Sequence, residues 1–481
     1  MDALARPTPT LDPAFVLRMD RAGPRYTSYP TADRFDTTFG EADYLGAIGR
    51  MRGGGNRPLS VYVHLPHCQR ICGYCACNVI GTKSPAKRAA YVDLVLRELA
   101  QVAGLEALAE HRTLGQFHFG GGTPNSYSTA DLTRLIDAVT RRFVPTADAE
   151  LAIEIDPRLA DMTQLVALHT LGMNRVSFGV QDNDARVQEA IGRHQSERET
   201  RTAIDLARRA GFGSINIDLV YGLPMQTPET FERTLDLVLD AVPDRVALFS
   251  FAYLPETKAN QRKIDRALLA PPELKVQMLV RARERLGQAG YLAIGMDHFA
   301  RPGDALGQAA LDPERVRLRR NFQGYTVAPA GLGASRLEVL GLGLTAISDL
   351  GGAYAQNHKD IERYAKAVEA GRPPVERGVT LTSDDLGRRL LIDSLMTQGR
   401  IEVASLPPRL QAICHDVVAS RFAPLIAEGL VTAEPARIVL TPIGELFPRL
   451  VAMTFDAHLG RPVRASDPSQ PARPTQFSRV V

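Results

Sequence analysis

Six short apolar segments alternate with amphipathic stretches of helical length between residues 60 and 288, and this alternation constrains the fold more than any other feature. The predicted strands cover 60–64, 116–119, 151–155, 175–180, 214–220 and 245–252. The predicted helices cover 86–102, 129–142, 162–171, 228–241 and 273–288, with further helical stretches before 210. Crossovers of this length predict an α/β fold in which a parallel sheet has right-handed connections.

Polar or glycine-rich residues follow each predicted strand. The first strand leads into a cysteine-rich loop, and the others end in Gly120–Thr123, Glu154, Gln181, Asp218 and Ala252. Parallel α/β folds place their sites at the carboxyl ends of the strands, whether the sheet is open or curled into a barrel. We therefore expect all six strand ends to face one site.

Four of the five cysteines lie in the ten residues from Cys68 to Cys77, and the fifth is Cys414. Cys68, Cys72 and Cys75 have the spacing Cys-x3-Cys-x2-Cys, with which one short loop can hold three irons of a [4Fe–4S] cluster. The fourth iron would then lack a protein ligand from this loop. Such an iron can bind a small molecule, so the cluster could take part in chemistry as well as carry electrons.

Three other uses suit these cysteines less well. Zinc would need tetrahedral ligands, and Cys75 and Cys77 are too close in sequence to form a comfortable pair. A disulfide knot does not suit a long chain that is otherwise poor in cysteine. An electron-transfer ferredoxin would place a fourth ligand to close the cluster, whereas Cys77 is too near and Cys414 is far away in sequence.

The composition sets wider limits. A length of 481 residues predicts two or three domains, and 44% hydrophobic with 23% charged residues is typical of a soluble globular protein. A net charge of +3 gives no argument for nucleic acid or a membrane surface. Residues 1–13 contain no apolar signal segment, and no uncharged apolar run reaches the roughly 18 residues of a membrane span. Cluster thiolates suit the reducing cytoplasm, where we expect the protein.

Two outer regions flank the predicted sheet, which we assign to a catalytic domain of residues 57–355. Residues 1–56 form an N-terminal arm, and its segment Gly23–Thr31 suits either an ordered crossing of a site or a surface arm. Residues 356–481 predict a mostly helical C-terminal domain with a hairpin over 431–440 and a helix over 443–453. This order resembles a winged helix, but without a basic surface a packing or lid role is favoured over DNA binding.

Several distinctive motifs run through nearly the whole chain: GPRYTSYPTA at 23–32, YVHLPHCQRICGYCACN at 62–78, FGGGTP at 119–124, IEIDPR at 153–158, GVQD at 179–182, NIDLVYGLP at 216–224, GMDHFARP at 295–302, NFQGYT at 321–326 and QFSRVV at 476–481. In these motifs the chain resembles the oxygen-independent coproporphyrinogen III oxidases of the radical S-adenosylmethionine (SAM) superfamily. The resemblance implies a partial (β/α)6 barrel with an N-terminal arm and a mostly helical C-terminal domain.

The resemblance also implies roles for individual residues. Cys68, Cys72 and Cys75 would ligate the [4Fe–4S] cluster, and SAM would chelate its fourth iron. The residues implied to contact this SAM are Tyr62, Gly121, Glu154 and Ile347, with Gln323 as a neighbour. Those implied for a second SAM are Tyr74, Gly122, Thr123, Gln181, Arg193, Asp218 and Ala252. Tyr62 and Cys77 are expected to be catalytic, although Cys77 would not be a cluster ligand.

The implied reaction is the oxidative decarboxylation of two propionate side chains of coproporphyrinogen III to vinyl groups, which gives protoporphyrinogen IX. A 5′-deoxyadenosyl radical from SAM would start each event. The implied electron donor is a protein such as flavodoxin or ferredoxin, the final electron acceptor stays unidentified, and a monomer is expected. Because the substrate carries four carboxylates, arginine contacts are expected, and Arg25 is our candidate. The nearest rival is a radical SAM-like haem chaperone, a family that lacks the GPRYTSYP segment and the equivalent of Cys77.

Overall fold

The computed structural model describes residues 11–312, 316–322, 324–329, 337–461, Phe477 and Arg479. Its centre is a twelve-stranded sheet. In chain order the strands are β1 Leu59–Leu65, β2 Thr113–Gly121, β3 Val144–Ile155, β4 Arg175–Gln181, β5 Ser214–Tyr221, β6 Arg245–Ser250, β7 Leu292–Ile294, β8 His298–Ala300, β9 Glu338–Leu342, β10 Ile347–Leu350, β11 Ala353–Asn357 and β12 Val375–Thr380.

The strands lie in the order β12-β11-β10-β9-β1-β2-β3-β4-β5-β6-β8-β7. Strands β1 to β6 are neighbours in sequence and in space, and each pairs in parallel with the next. The predicted six-stranded parallel unit is confirmed. Strand β9 adds a seventh parallel member beside β1, which the sequence did not predict. Antiparallel strands extend the sheet at both edges.

Helices cover the outer face of the sheet because their apolar residues recur with helical spacing. The helix Thr129–Arg142, for example, buries Leu132, Leu135, Ile136 and Val139. The described α-helices are Pro13–Met19, Glu41–Gly49, Pro85–Ala103, Thr129–Arg142, Met162–Thr170, Ala185–Ala190, Glu197–Ala210, Pro228–Ala241, Pro272–Gln288, Ala305–Leu311, Ile361–Glu369, Ser383–Gln398, Pro408–Arg421, Ala423–Ala427 and Pro448–Ala452. Among the described residues, none of these helices combines the length and apolar character that a membrane crossing requires.

Hydroxyl side chains cap the N-termini of several helices that pack on the main sheet. Ser84, Ser128, Ser196 and Thr227 each accept a hydrogen bond from a backbone N–H of the first helical turn. These caps fix where each helix starts after the loop that follows a strand. The loops at the carboxyl ends of the strands are therefore held between two rigid elements.

The C-terminal unit is built differently from the sheet. After the helix Ser383–Gln398, strands Arg400–Glu402, Val431–Glu434 and Arg437–Leu440 form a small antiparallel sheet that includes the predicted hairpin. The expected boundary after residue 355 falls inside β11, and the main sheet continues through β12 to Thr380. The single helix expected over 443–453 is wrong, since a turn at Gly444–Leu446 precedes a short helix that begins at Pro448, whose ring nitrogen carries no hydrogen.

The N-terminal arm, described from residue 11, packs on the C-terminal unit and then reaches the carboxyl end of the main sheet. Tyr26 donates a hydrogen bond to Asp456 (2.9 Å), and the Tyr29 hydroxyl accepts one from the backbone N–H of Ala457 (2.9 Å). Arg25 donates to the carbonyl of Ser250 at the end of β6 (2.8 Å). The arm is thus ordered where it crosses the carboxyl end of the sheet.

Candidate functional site

A cavity of about 450 Å³ opens at the carboxyl ends of β2 to β6. Most residues that the sequence resemblance assigned to SAM contacts line it together with two of the loop cysteines. These lining residues are Tyr74, Cys75, Cys77, Gly121, Gly122, Thr123, Glu154, Gln181, Arg193, Asp218 and Ala252. The strand ends therefore converge on one cavity, as the sequence predicts.

A few predicted residues lie beside this cavity. Tyr62 on β1 is not a lining residue. Its ring stacks on that of the lining residue His118, with 5.9 Å between the ring centroids, and its hydroxyl lies 3.1 Å from His64 Nδ1. Ile347 lines a smaller neighbouring cavity that Thr27 of the arm also lines. Gln323 lies outside the described residues.

The sulfur atoms of the cysteine loop have polar neighbours from two strand ends. Thr123 Oγ1 lies 3.3 Å from Cys68 Sγ, and Arg193 Nη1 lies 3.7 Å from Cys72 Sγ. Burial raises the pKa of the Cys68 thiol to about 11, and the hydrogen bond from Thr123 opposes that rise. A hydroxyl and a guanidinium beside sulfur are suitable polar neighbours for metal-bound thiolates. Among the described residues, no His, Cys, Asp and Glu converge on one point as the ligands of a single metal ion would. Three separate thiols on one loop fit an iron–sulfur cluster, in which each ligand binds a different iron.

Two side chains from the segment after β6 hold the cysteine loop, and the sequence reasoning missed both. Asn260 Nδ2 lies 3.0 Å from the carbonyl oxygen of Cys72 and 2.9 Å from that of Cys75. Gln261 is fully buried and donates to the carbonyl of Tyr74 at 2.8 Å. Neither amide belongs to a periodic segment or a quoted motif, so the sequence carried no signal for them.

The glycine run after β2 packs directly against the cysteine loop. A Cβ on Gly122 would lie 2.6 Å from the carbonyl carbon of Pro66, which is backbone and cannot move aside. Gly121 has φ +110°, and a Cβ there would strike the ring of His64. Glycine is therefore needed for the close approach of β2 and the loop, and it leaves a cradle without side chains at the cavity wall.

Two carboxylates on neighbouring parts of the parallel sheet face the cavity. Glu154 accepts a hydrogen bond from the N–H of Gly121 (3.0 Å) and lies 3.3 Å from His118 Nε2. Burial alone would raise the pKa of Glu154, but His118 and the Gly121 N–H hold it below its usual range. Burial and the charge of Glu154 raise the pKa of Asp218 above its usual range. An ionised carboxylate beside a more easily protonated one can accept hydrogen bonds from ligand amines and hydroxyls.

Some buried polar atoms of lining residues have no hydrogen-bond partner among the described residues, and Arg193 Nε and Asn216 Oδ1 are among them. Arg193 otherwise donates to the Gly179 carbonyl (2.6 Å) and lies 3.5 Å from Asp156 Oδ1. Unsatisfied buried polar atoms are costly, so a donor and an acceptor at the cavity wall fit a polar ligand.

The arm brings a cation to the wall of the cavity. Arg25 and Thr27 of the arm line the cavity, as do His298 of β8 and Arg320 of a separate strand pair, Val316–Asn321 with Gly324–Pro329. Burial lowers the pKa of the Arg25 guanidinium, although the charge of Asp297 opposes this. Arg320 donates to Asp297 Oδ2 (2.8 Å), so this part of the cavity wall combines arginines with a buried carboxylate.

The comparisons with known proteins agree with this geometry. The sequence model of the Radical SAM superfamily matches residues 62–238. The oxygen-independent coproporphyrinogen III oxidase of Escherichia coli is 41% identical over 98% of this chain and 98% of its own length. That of Pseudomonas aeruginosa is 40% identical over 93% of this chain and 96% of its own.

A solved structure agrees as well. That of coproporphyrinogen III oxidase (HemN) from Escherichia coli, described as a radical SAM enzyme, superposes with a TM-score of 0.83 at 40% identity and covers 90% of this chain and 98% of that one. Likeness over nearly the full length includes the arm, which lines the cavity, and the C-terminal unit on which the arm packs. The chain therefore belongs to the oxygen-independent coproporphyrinogen III oxidases of the radical SAM superfamily.

Proposed function

We propose that this protein is a SAM-dependent oxidoreductase that converts coproporphyrinogen III to protoporphyrinogen IX. Two propionate side chains lose CO2 and become vinyl groups. The observation that carries the proposal is one cavity bounded by the cysteine loop, the glycine run, two carboxylates and Arg25 of the arm. Relatives with this activity in their names match the chain over nearly its full length.

The cofactors are a [4Fe–4S] cluster and SAM. Cys68, Cys72 and Cys75 would hold the cluster, and the free state of all five cysteines fits that use. When bound, the pair supplies the 5′-deoxyadenosyl radical that removes hydrogen from a propionate. The proposed SAM contacts beside the cluster are Tyr62, Gly121, Glu154, Gln323 and Ile347. The proposed contacts of a second SAM are Tyr74, Gly122, Thr123, Gln181, Arg193, Asp218 and Ala252.

The protein's own residues orient the ligands and exclude water. Glu154 and Asp218 offer carboxylate oxygens to ligand hydroxyls and amines, and Arg193 offers its unpaired Nε–H to a ligand carboxylate. Burial raises the pKa of Tyr62 well above its usual range, so its phenol stays neutral and acts by packing and hydrogen bonding. Cys77 lines the cavity next to the proposed ligand Cys75, which supports its proposed catalytic role.

The remaining partners are also proposals. A reductant protein such as flavodoxin or ferredoxin would supply electrons. The chain would act as a monomer, because the arm, the sheet and the cysteine loop of one copy together form the cavity. The free thiols support a location in the reducing cytoplasm.

An anaerobic assay with the reconstituted protein, SAM, dithionite and coproporphyrinogen III tests the function. We expect release of CO2 and formation of protoporphyrinogen IX by way of a monovinyl intermediate. The same chain without SAM is the control and should give neither product. Tight haem binding without CO2 release would contradict the proposal and would favour the haem chaperone.

Replacing Arg25 with alanine should lower kcat/KM about tenfold to a hundredfold, mainly through KM for the tetracarboxylate substrate. A charge-assisted hydrogen bond to a carboxylate contributes about 1.5–3 kcal/mol, which corresponds to that range. Arg25→Lys should recover only part of the loss, because it keeps the charge without the planar fork. Steady-state kinetics at varied substrate concentration, with cluster content measured in parallel, would check this.

The matched control is Arg18→Ala, since Arg18 is on the same arm but is not a lining residue of the cavity and pairs with Glu428 at 3.1 Å. Its kinetics should equal those of the unmodified protein. If Arg25→Ala and Arg18→Ala behave alike while both keep the cluster, Arg25 does not bind substrate carboxylates.

A further inference from the structure

The outer face of the cysteine loop is strongly cationic. From residue 66 to residue 92 the sequence contains no Asp or Glu, whereas it contains four basic residues. Arg70, Lys83 and Lys87 of this segment are exposed. We call these three, together with Lys258, Arg262 and Lys263, the cationic patch.

The second half of the patch lies against the loop through direct contacts. Lys258 Nζ donates to the carbonyl of Cys77 at 3.2 Å. Asn260, two residues later, holds the carbonyls of Cys72 and Cys75, and the exposed Arg262 and Lys263 follow. The segments 66–87 and 258–263 are therefore two sides of one surface around the proposed cluster ligands. The acidic residues nearest in sequence, Glu256 and Asp265, flank 258–263 on either side.

The six cations of the patch form no ion pair with any described residue. Several exposed arginines elsewhere on the sheet unit do pair, as Arg134 does with Asp93 at 2.6 Å and Arg201 with Glu197 at 2.8 Å. Like charges gathered without partners repel one another and weaken the fold slightly. Such a cluster also raises the rate at which an anionic partner arrives at the surface.

An apolar side chain lies among these charges. Ile71 is 39% exposed, and it precedes the proposed ligand Cys72 directly. Its Cδ1 would lie 3.5 Å from a Cβ on Gly81, two residues before Lys83, so it joins the two parts of the loop segment. A small apolar centre with a charged rim is typical of brief encounters between electron-transfer proteins, which bury little area.

We propose that the cationic patch, with Ile71 at its centre, is the docking surface for an acidic one-electron carrier protein. The inference rests on the proposed function, in which the cluster must be reduced before SAM is cleaved. The step moves one electron from the reduced carrier to the cluster and transfers no atom. A carrier docked on Ile71 would be one residue from a cluster ligand in the chain, so the electron would have a short path to the cluster.

The test compares two reductants on the reconstituted full chain, with the loss of cluster absorption followed by stopped flow. The variant is Lys83→Glu/Lys87→Glu. Lys87 is the third residue of a helix capped by Ser84, where glutamate completes a capping box, so this reversal does not threaten the helix. Arg97→Glu/Lys366→Glu changes the same charge at exposed positions outside the patch and is the matched control.

Reduction by an acidic reduced flavodoxin at low ionic strength should be about tenfold to a hundredfold slower in the patch variant than in the control. The difference should shrink as salt is added. Reduction by excess dithionite should proceed at the same rate in all three proteins. Failure of the proposed function would show separately, as absence of product with dithionite in the unmodified protein.

Equal flavodoxin rates in the two variants would overturn the proposal. An equal decrease in the rate of reduction by dithionite would also overturn it, because it would mean that the substitutions damage the cluster loop and not a docking surface. Binding of a short RNA to the patch at low salt that leaves flavodoxin-driven reduction unchanged would assign the patch to nucleic acid, which also overturns it.

Discussion

Replacing Cys72 with alanine is expected to give a folded protein that retains no [4Fe–4S] cluster and forms no protoporphyrinogen IX. Cys72 is one of three proposed ligands on a single loop, and the buried guanidinium of Arg193 lies 3.7 Å from its sulfur. With only two thiolate ligands left on the loop, one more iron of the cluster has no protein ligand. Iron and sulfide content after anaerobic reconstitution, absorption spectra and the product assay would measure the result.

Substitutions of two other cysteines distinguish a cluster ligand from a catalytic thiol. Cys414 is fully buried on the helix Pro408–Arg421 of the C-terminal unit, and Cys414→Ala should keep full iron content and full activity. Cys77→Ala should also keep its iron but lose product formation, because Cys77 lines the cavity without being a proposed ligand.

The pattern across the three variants is what decides the assignment. Full iron content with activity in Cys72→Ala would place the cluster elsewhere in the chain. Loss of iron in Cys77→Ala would make Cys77 a ligand and would leave the cavity without its proposed catalytic thiol.

Much of this site can be predicted from sequence because its parts obey local rules. Each of the first six strands is a short apolar segment followed by a helix, and parallel strands must bring their carboxyl ends to one edge. The order of strands and helices alone thus predicts that Glu154, Gln181 and Asp218 lie together, and the cavity contains all three. The cysteine spacing likewise needs no long-range information.

What could not be predicted depends on contacts between distant segments. Strand β9 joins β1 in parallel after an interval of more than two hundred residues, and its five-residue apolar sequence does not indicate which strand it pairs with. Asn260 and Gln261 donate hydrogen bonds to backbone carbonyl groups of the cysteine loop. Because every residue has a backbone carbonyl, the sequence does not indicate where such contacts form. The packing of the arm on the C-terminal unit, as between Tyr26 and Asp456, also leaves no periodic pattern.

Replacing Arg193 with methionine is expected to lower the free energy of unfolding by about 3 kcal/mol and to weaken SAM binding. Arg193 is buried, donates to the Gly179 carbonyl (2.6 Å) and Gln195 Oε1 (3.2 Å), and lies 3.5 Å from Asp156. Removing the donor deprives the Gly179 carbonyl and Gln195 Oε1 of this hydrogen bond, which costs about 1–3 kcal/mol each before relaxation, and leaves Asp156 with Arg158 as its remaining cation. Urea denaturation of the apoprotein and equilibrium dialysis of SAM with the reconstituted protein would measure the two effects.

Arg158→Met is the matched control because Arg158 contacts the same carboxylate, at 2.5 Å from Asp156 Oδ2, but its side chain is 22% exposed. Water can replace much of the hydrogen bonding that Arg158 gives to Asp156. We therefore expect the free energy of unfolding to fall by less than about 1 kcal/mol and the SAM affinity to stay unchanged. Equal destabilisation by the two variants would mean that losing a cation beside Asp156 accounts for the whole decrease in the free energy of unfolding. Normal SAM affinity in Arg193→Met would show that the unpaired Nε of Arg193 does not face the ligand, and the proposed second SAM site would lose its only arginine.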